Sequence, residues 1–117
     1  MLSTQTLIEK VHLSPEHVQF NEVINVIERE YAFTPSAFTN GKQHNAINEN
    51  NGSCKIFAFA MIHHLDELAT LNLFGEFYRV DVLKNPNAED HQNIRQFIEN
   101  GWAGIQFKHF ALTKKNA

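Results

Sequence analysis

The chain's one cysteine, Cys54, stands where a polar stretch rich in Asn and Gly (residues 36–52) meets an apolar run, Ile56 to Ile62. If that run is a helix beginning at Ser53, the sulfur lies among unpaired N–H groups at the positive end of the helix dipole. Such a position favours a thiolate or a bound anion. A thiol nucleophile also needs a base within hydrogen-bond reach. His63 and His64 cannot supply it, because nine or ten residues along one helix is about 13 to 15 Å of axial rise. His44, His91 and His109 remain. His91 is the choice, since Asp90, Asn93 and Arg95 surround it in sequence. In this scheme Cys54 attacks, His91 takes the proton, and the N–H groups of residues 53 to 55, with Asn48, hold the oxyanion. The rival reading of Cys54 is packing, because an unpaired cysteine is among the most buried residue types.

A second constellation is Arg79, Asp81, His91 and Arg95. Two guanidiniums could grip a carboxylate or phosphate in fork geometry, and His91 and Arg95, four apart, would share a helix face. The same residues could instead form ion pairs, Arg79 or Arg95 with Asp81 or Asp90. Asn40, Asn48, Asn51, Ser53, Lys55 and Asn93 complete the ligand-binding candidates. The loop amides would either cradle an anion or simply tolerate left-handed turns. Seven histidines invite a metal, but His63 and His64 are adjacent and no pair falls at i, i+4 on a helix, so no metal site is expected. No cofactor is expected either.

These residues must be held by a small protein. The chain has 117 residues, 43% hydrophobic and 20% charged, which suits one globular domain over residues 1–117. A net charge of −3 with both signs scattered excludes nucleic acid as a main partner. One cysteine cannot form an internal disulfide, which fits a reducing cytoplasm. The start, MLSTQTLIEKV, lacks the pattern of a cleaved signal. The longest apolar run, residues 56 to 62, is far short of the roughly 20 that a membrane span needs. A cytoplasmic protein with no membrane association is expected, and Lys114 and Lys115 read as a frayed tail.

The pattern is mainly helical. Residues 3 to 12 predict a first helix, capped by Ser3 and striped by Leu7, Ile8 and Val11. Ser14-Pro15-Glu16 reads as the start of a second, with Phe20, Val23, Ile24, Ile27 and Tyr31 on its apolar face and Glu22, Glu28, Arg29 and Glu30 on its solvated side. Thr34-Pro35 ends it. Residues 36 to 52 form a loop with turns at Asn40-Gly41 and Asn51-Gly52. Residues 53 to 65 predict a helix apolar nearly all round, hence the buried centre of the fold. Asp66 caps a fourth helix bearing Leu68, Leu71, Phe74, Phe77 and Tyr78, with a bend at Gly75. A fifth begins at Asn87 to Asp90, faces the core with Ile94, Phe97 and Ile98, and ends at Gly101 as a left-handed cap. Trp102 folds back on the core. Residues 104 to 112 alternate loosely and could be a strand in need of a partner.

So laid out, the chain resembles the HopJ family of bacterial proteins. The resemblance is carried by Tyr31, Thr34-Pro35, Phe38, Asn40-Gly41 and Asn51-Gly52-Ser53-Cys54-Lys55-Ile56-Phe57. It continues in Phe74 through Leu83, Asp90 through Arg95 and Gly101-Trp102. It covers nearly the whole chain. The family name implies a type III effector, injected into a host cell, and so a route of secretion; it implies no reaction. Gly52-Ser53-Cys54 with Phe57-Ala58, and Asn48 six residues before the cysteine, is also locally similar to papain-like cysteine proteases. No Trp follows the cysteine and the chain is too short for that two-lobed fold, so this likeness reads as convergence on a thiol at a helix start.

The expectation is a mainly α fold: a compact bundle of four to five helices around the 53–65 helix, with α+β as the alternative if residues 104 to 112 form a strand. The expected function is binding of a small anionic ligand or a protein partner in a polar pocket near Cys54. Two rivals stand beside it: a cysteine-dependent hydrolase or acyltransferase, and a secreted effector acting in a host cell.

Overall fold

Ser3 begins the first helix with a reciprocal cap: its hydroxyl accepts the Thr6 N–H and the Thr6 hydroxyl accepts the Ser3 N–H. The computed structural model describes residues 2–115, and in it α1 runs Thr4–Leu13 with Leu7 and Val11 buried. Ser14-Pro15-Glu16 makes only a single 3-10 turn, Pro15–His17. The chain is then extended until α2, Phe20–Glu30. The local start signal loses to distant partners. The Arg79 guanidinium takes the carbonyls of Pro15 and Val18, and the Phe20 N–H goes to Glu76 Oε1 at 3.1 Å. The side of α2 expected in solvent is also tied down: Glu22 pairs with Lys10, Glu28 with Lys55, and Glu30 accepts from Thr4.

The region expected to be loop and tail is sheet. β1 (Tyr31–Phe33) pairs antiparallel with β5 (Leu112–Lys114), and β2 (Phe38–Asn40) lies between β3 (Gln43–Asn45) and β4 (Ile105–Phe107). Asn40-Gly41 opens a tight hairpin turn, with Gly41 at φ +58°. Tyr31 faces Lys114, Phe33 faces Leu112, Phe38 faces Phe107 and Asn40 faces Ile105. The offset is the same on both sides of the break, so segments 31–40 and 105–114 form one antiparallel ribbon interrupted at Pro35, which has no N–H to give to a ladder. The inward face changes there from Tyr31 and Phe33 to Ser36, Phe38 and Asn40. Lys114 and Lys115 belong to this ribbon, with the Lys115 N–H on the Glu30 carbonyl, and are not a frayed tail.

α3 (Asn51–Ile62) is the buried centre expected, shifted two residues toward the N-terminus. Asn51-Gly52 is its first turn and not a loop. Its Phe57 ring meets those of Phe38, Phe74, Phe97 and Trp102 at centroid distances of 5.0 to 6.3 Å. Met61 and Ile62 reach solvent at its end. Asp66 caps α4 (Glu67–Asn72) through the Ala69 N–H, as expected, while Leu68 points outward. At φ +61°, Gly75 turns the chain against α2, where an added Cβ would lie 2.5 Å from Phe20 N. A π-helix, Phe77–Val82, follows. α5 (Gln92–Asn100) starts later than Asp90 and leaves Ile98 exposed. Gly101 has the positive φ expected, but its ψ of −154° is extended and not left-handed helical. Trp102 then folds back, its Nε1 donating to the Leu65 carbonyl at 3.0 Å.

The fold is therefore mixed α+β, helices around a buried α3 with a bent ribbon closing one side. Among the described residues no helix is long and apolar enough to cross a membrane.

Candidate functional site

Asn50 precedes α3 and His91 precedes α5, and both hold the same backbone geometry: φ 53°, ψ 49° and φ 52°, ψ 48°. A left-handed residue followed by helical ones points successive N–H groups into a common concavity. Neither helix start has a side-chain cap. Ser3 caps α1 and Asp66 caps α4, while α2 has no side-chain cap from Gln19 and gives its first two N–H groups to the carboxylates of Glu22 and Glu76. Among the described residues the N–H groups of Asn51, Gly52, Ser53, Gln92 and Asn93 have no acceptor, as the first N–H groups of an uncapped helix must. The two starts face one another across a solvent-open cavity of about 430 Å³.

His91 is set in that cavity by the π-helix. Asp81 Oδ2 lies 3.0 Å from its Nε2, and the Phe77 ring stacks on the imidazole at 5.1 Å and 26°. Asp81 and Phe77, four residues apart, grip one ring from two sides. Asp90 Oδ2 is 3.8 Å away, but Asp90 chiefly serves Arg95 at 2.7 Å, and that guanidinium holds its carboxyl below the ordinary carboxylate value. Phe20 extends the same ring surface, in contact with Phe77 at 4.8 Å between centroids. Ser53 joins the polar end; its hydroxyl has no partner among the described residues.

The expected thiol–imidazole pair does not assemble. Cys54 is fully buried (0% exposed), with its sulfur 3.8 Å from the Ser36 carbonyl, under the ribbon. Burial raises its thiol above the ordinary value. It is absent from the lining of the cavity that His91 faces. One position earlier in the helix, Ser53 faces the cavity instead.

The two guanidiniums do not converge on a vacant space. Arg79 binds the carbonyls of Pro15 and Val18; Arg95 binds those of Asn85, Pro86 and Asp90 together with the Asp90 carboxylate. Arg95 thus makes the ion pair with Asp90 that the rival reading named, whereas Arg79 pairs with neither aspartate among the described residues and binds main-chain carbonyls instead. Lys55 lies elsewhere, bonded to Glu28 at 2.8 Å and over the Phe33 ring. Asn40 and Asn93 are buried and belong, with Asn45 and Asn50, to a network of amides. Asn45 Oδ1 accepts from Asn50 and from Asn93, and Asn93 Oδ1 accepts from Asn40 and Asn45. That network ties the β2–β3 hairpin to the starts of α3 and α5 and holds the two uncapped ends in place. Asn48, at φ 68°, and Asn51 stand beside the α3 start, 3.5 Å apart through their side chains. Among the described residues no three His, Cys, Asp or Glu groups gather as metal ligands would.

Sequence reasoning missed Phe20, Asn50, Phe77 and Gln92 as parts of the site. Asn50 carried a signal, since Asn accepts left-handed angles readily. The aromatic pair read as core, and its edge on the cavity has no mark in the sequence.

Comparison with known proteins agrees with this architecture. The family model described as HopJ type III effector protein matches residues 4–112, and the chain belongs to that family. It is also similar to a crystal structure described as unknown function protein VPA0580, at 55% identity over 95% of this chain and 92% of that one, with a TM-score of 0.93. No curated protein matches.

Proposed function

We propose that this protein is a binding module for a small anion, held in the cavity between the starts of α3 and α5. The observation that carries the reading is that two α-helix starts without a side-chain cap, those of α3 and α5, share this one cavity. Each supplies free N–H groups and the positive end of a dipole. The Ser53 hydroxyl and the His91 ring, oriented by Asp81, add polar groups at the same end. A cavity of this size is within the range of small-molecule sites. Cys54 supports α3 from the far side as a packed residue. The family description concerns delivery to a host, and a binding module would use the same chemistry at either destination.

The test is a backbone amide NMR titration with sodium acetate and with inorganic phosphate, matched in ionic strength with chloride. Saturable shifts are expected at Asn51 to Ser53 and at Gln92 and Asn93. Ser53→Asp places a carboxylate in the first turn of α3, on the cavity and at the positive end of the dipole, where it competes with a bound anion, so it should fold and lose the response. Cys54→Ser should keep it. Shifts that are absent, or unchanged in folded Ser53→Asp, would overturn the proposal.

A further inference from the structure

The cavity holds more than donors: its long wall is made of rings. Phe20, Phe77 and His91 form a continuous aromatic surface, Phe20 to Phe77 at 4.8 Å and Phe77 to His91 at 5.1 Å, with the second pair nearly parallel at 26°. The π-helix supplies Phe77, the middle ring of this wall, and such helices are rare and frequently found at functional sites. The rings also reach the donor end. An atom built where a side chain would begin on Gly52 lies 3.1 Å from Phe20 Cζ. Gly52 is a residue whose own N–H is free, so little room separates the charge-binding end from the apolar face. Glu89 borders the same cavity and has no ion-pair partner among the described residues. Its carboxylate repels a doubly charged ligand about twice as strongly as a singly charged one.

We propose that the ligand is a flat monoanion whose carboxylate is joined directly, or through one carbon, to an aromatic ring. The inference rests on the anion-binding reading of this cavity and specifies its ligand class. The carboxylate takes the N–H groups at the starts of α3 and α5, while the ring lies on Phe77 and Phe20. Aromatic faces prefer offset or tilted contacts with another ring, which a saturated ring of the same size cannot make equally well. A phosphate monoester, doubly charged near neutral pH, is disfavoured by Glu89.

The experiment compares acetate, benzoate, cyclohexanecarboxylate and phenyl phosphate in the same amide titration on the full chain. Benzoate is expected to bind about tenfold or more tightly than acetate, a gain of about 1.4 kcal/mol, and ahead of the other two. In Phe77→Leu the benzoate-to-acetate ratio should collapse, and in Glu89→Gln phenyl phosphate should gain on benzoate. Should acetate and benzoate bind equally, the ligand class is refuted while the anion site stands. Cyclohexanecarboxylate matching benzoate would equally refute the aromatic requirement. If no anion moves the amides of residues 51–53 and 92–93, both readings fall together.

Discussion

Alkylation of Cys54 separates a packed sulfur from a catalytic one. The sulfur is fully buried, and its hydrogen-bond partner is the carbonyl of Ser36, a buried residue of the ribbon that covers it. Iodoacetamide attacks the thiolate, so labelling requires both an opening of the fold and ionisation. Burial raises the thiol above its ordinary value, which lowers the thiolate fraction while the fold is closed. α3 is the centre of the core, and opening at such a position costs a large share of the global stability, about 5–15 kcal/mol for a domain of this kind. At the lower bound, with each 1.4 kcal/mol a factor of ten, about one molecule in 4,000 is open at any moment.

Labelling followed by intact-mass spectrometry at neutral pH should therefore run at least about a thousandfold slower in the native protein than in urea-unfolded chain. Urea below the unfolding transition should accelerate it in step with the falling stability. A native rate within about tenfold of the unfolded one, with a pH–rate midpoint below the free thiol's value of about 8.5, would show a reachable, stabilised thiolate. The packing argument would then be wrong and the thiol-enzyme reading would return.

Two further outcomes follow from the buried polar groups. Asn45→Ala removes the acceptor of the Asn50 and Asn93 amides at 2.7 and 2.9 Å; the exposed Asn50 amide can turn to water while the buried Asn93 donor is stranded, which predicts a loss of about 1–3 kcal/mol in urea unfolding, and a loss under about 0.5 kcal/mol would refute the network's role. The His63 Nε2 shares a hydrogen bond with the Tyr31 hydroxyl at 2.6 Å, and burial, then Lys114 on β5, then neighbouring His64 hold its pKa below the ordinary 6.5; Glu30 faces the same chain of bonds through Thr4. The unfolded chain then binds more protons than the native one, so the contribution is complete above the ordinary value and is lost as pH falls through the depressed one. Urea midpoints at about pH 7 and pH 5 should fall more in the wild type than in His63→Gln, whose amide still bonds to Tyr31, and equal falls would refute it.

What could be read from sequence divides by the range of the force involved. The Ser3 and Asp66 caps, the apolar α3, the positive φ at Gly101 and the return of Trp102 depend on residues near in the chain, and each has a local mark. The second helix start failed at Ser14-Pro15 because Arg79 and Glu76, some sixty positions away, take that segment's backbone groups. Strand β4 had the mark of a loose alternation but no partner, because β2 reads as loop; β5 runs into a segment that reads as a tail, and its partner β1 reads as the end of a helix. For the site, the residue types were legible and their pairing was not. Arg79 and Arg95 were credited with free donors, and side-chain donors to main-chain carbonyls leave no trace in a sequence.

The ribbon explains why the cavity lies beside α3's start and not over Cys54. Helical neighbours Ser53 and Cys54 project about a quarter-turn apart or more, so at most one of them can face a given cleft. The ribbon decides which. At Pro35 its inward face shifts from odd to even positions, turning Ser36 and Phe38 toward α3, and the Ser36 carbonyl takes the sulfur. Past the shift, Asn40 also turns inward and binds the Asn93 carbonyl at 2.7 Å, anchoring α5. One interruption thus seals the thiol on one side of α3 and fixes, on the other, the second helix start that the cavity needs. Had the ladder run unbroken, the even positions that now hold α5 would have pointed to solvent.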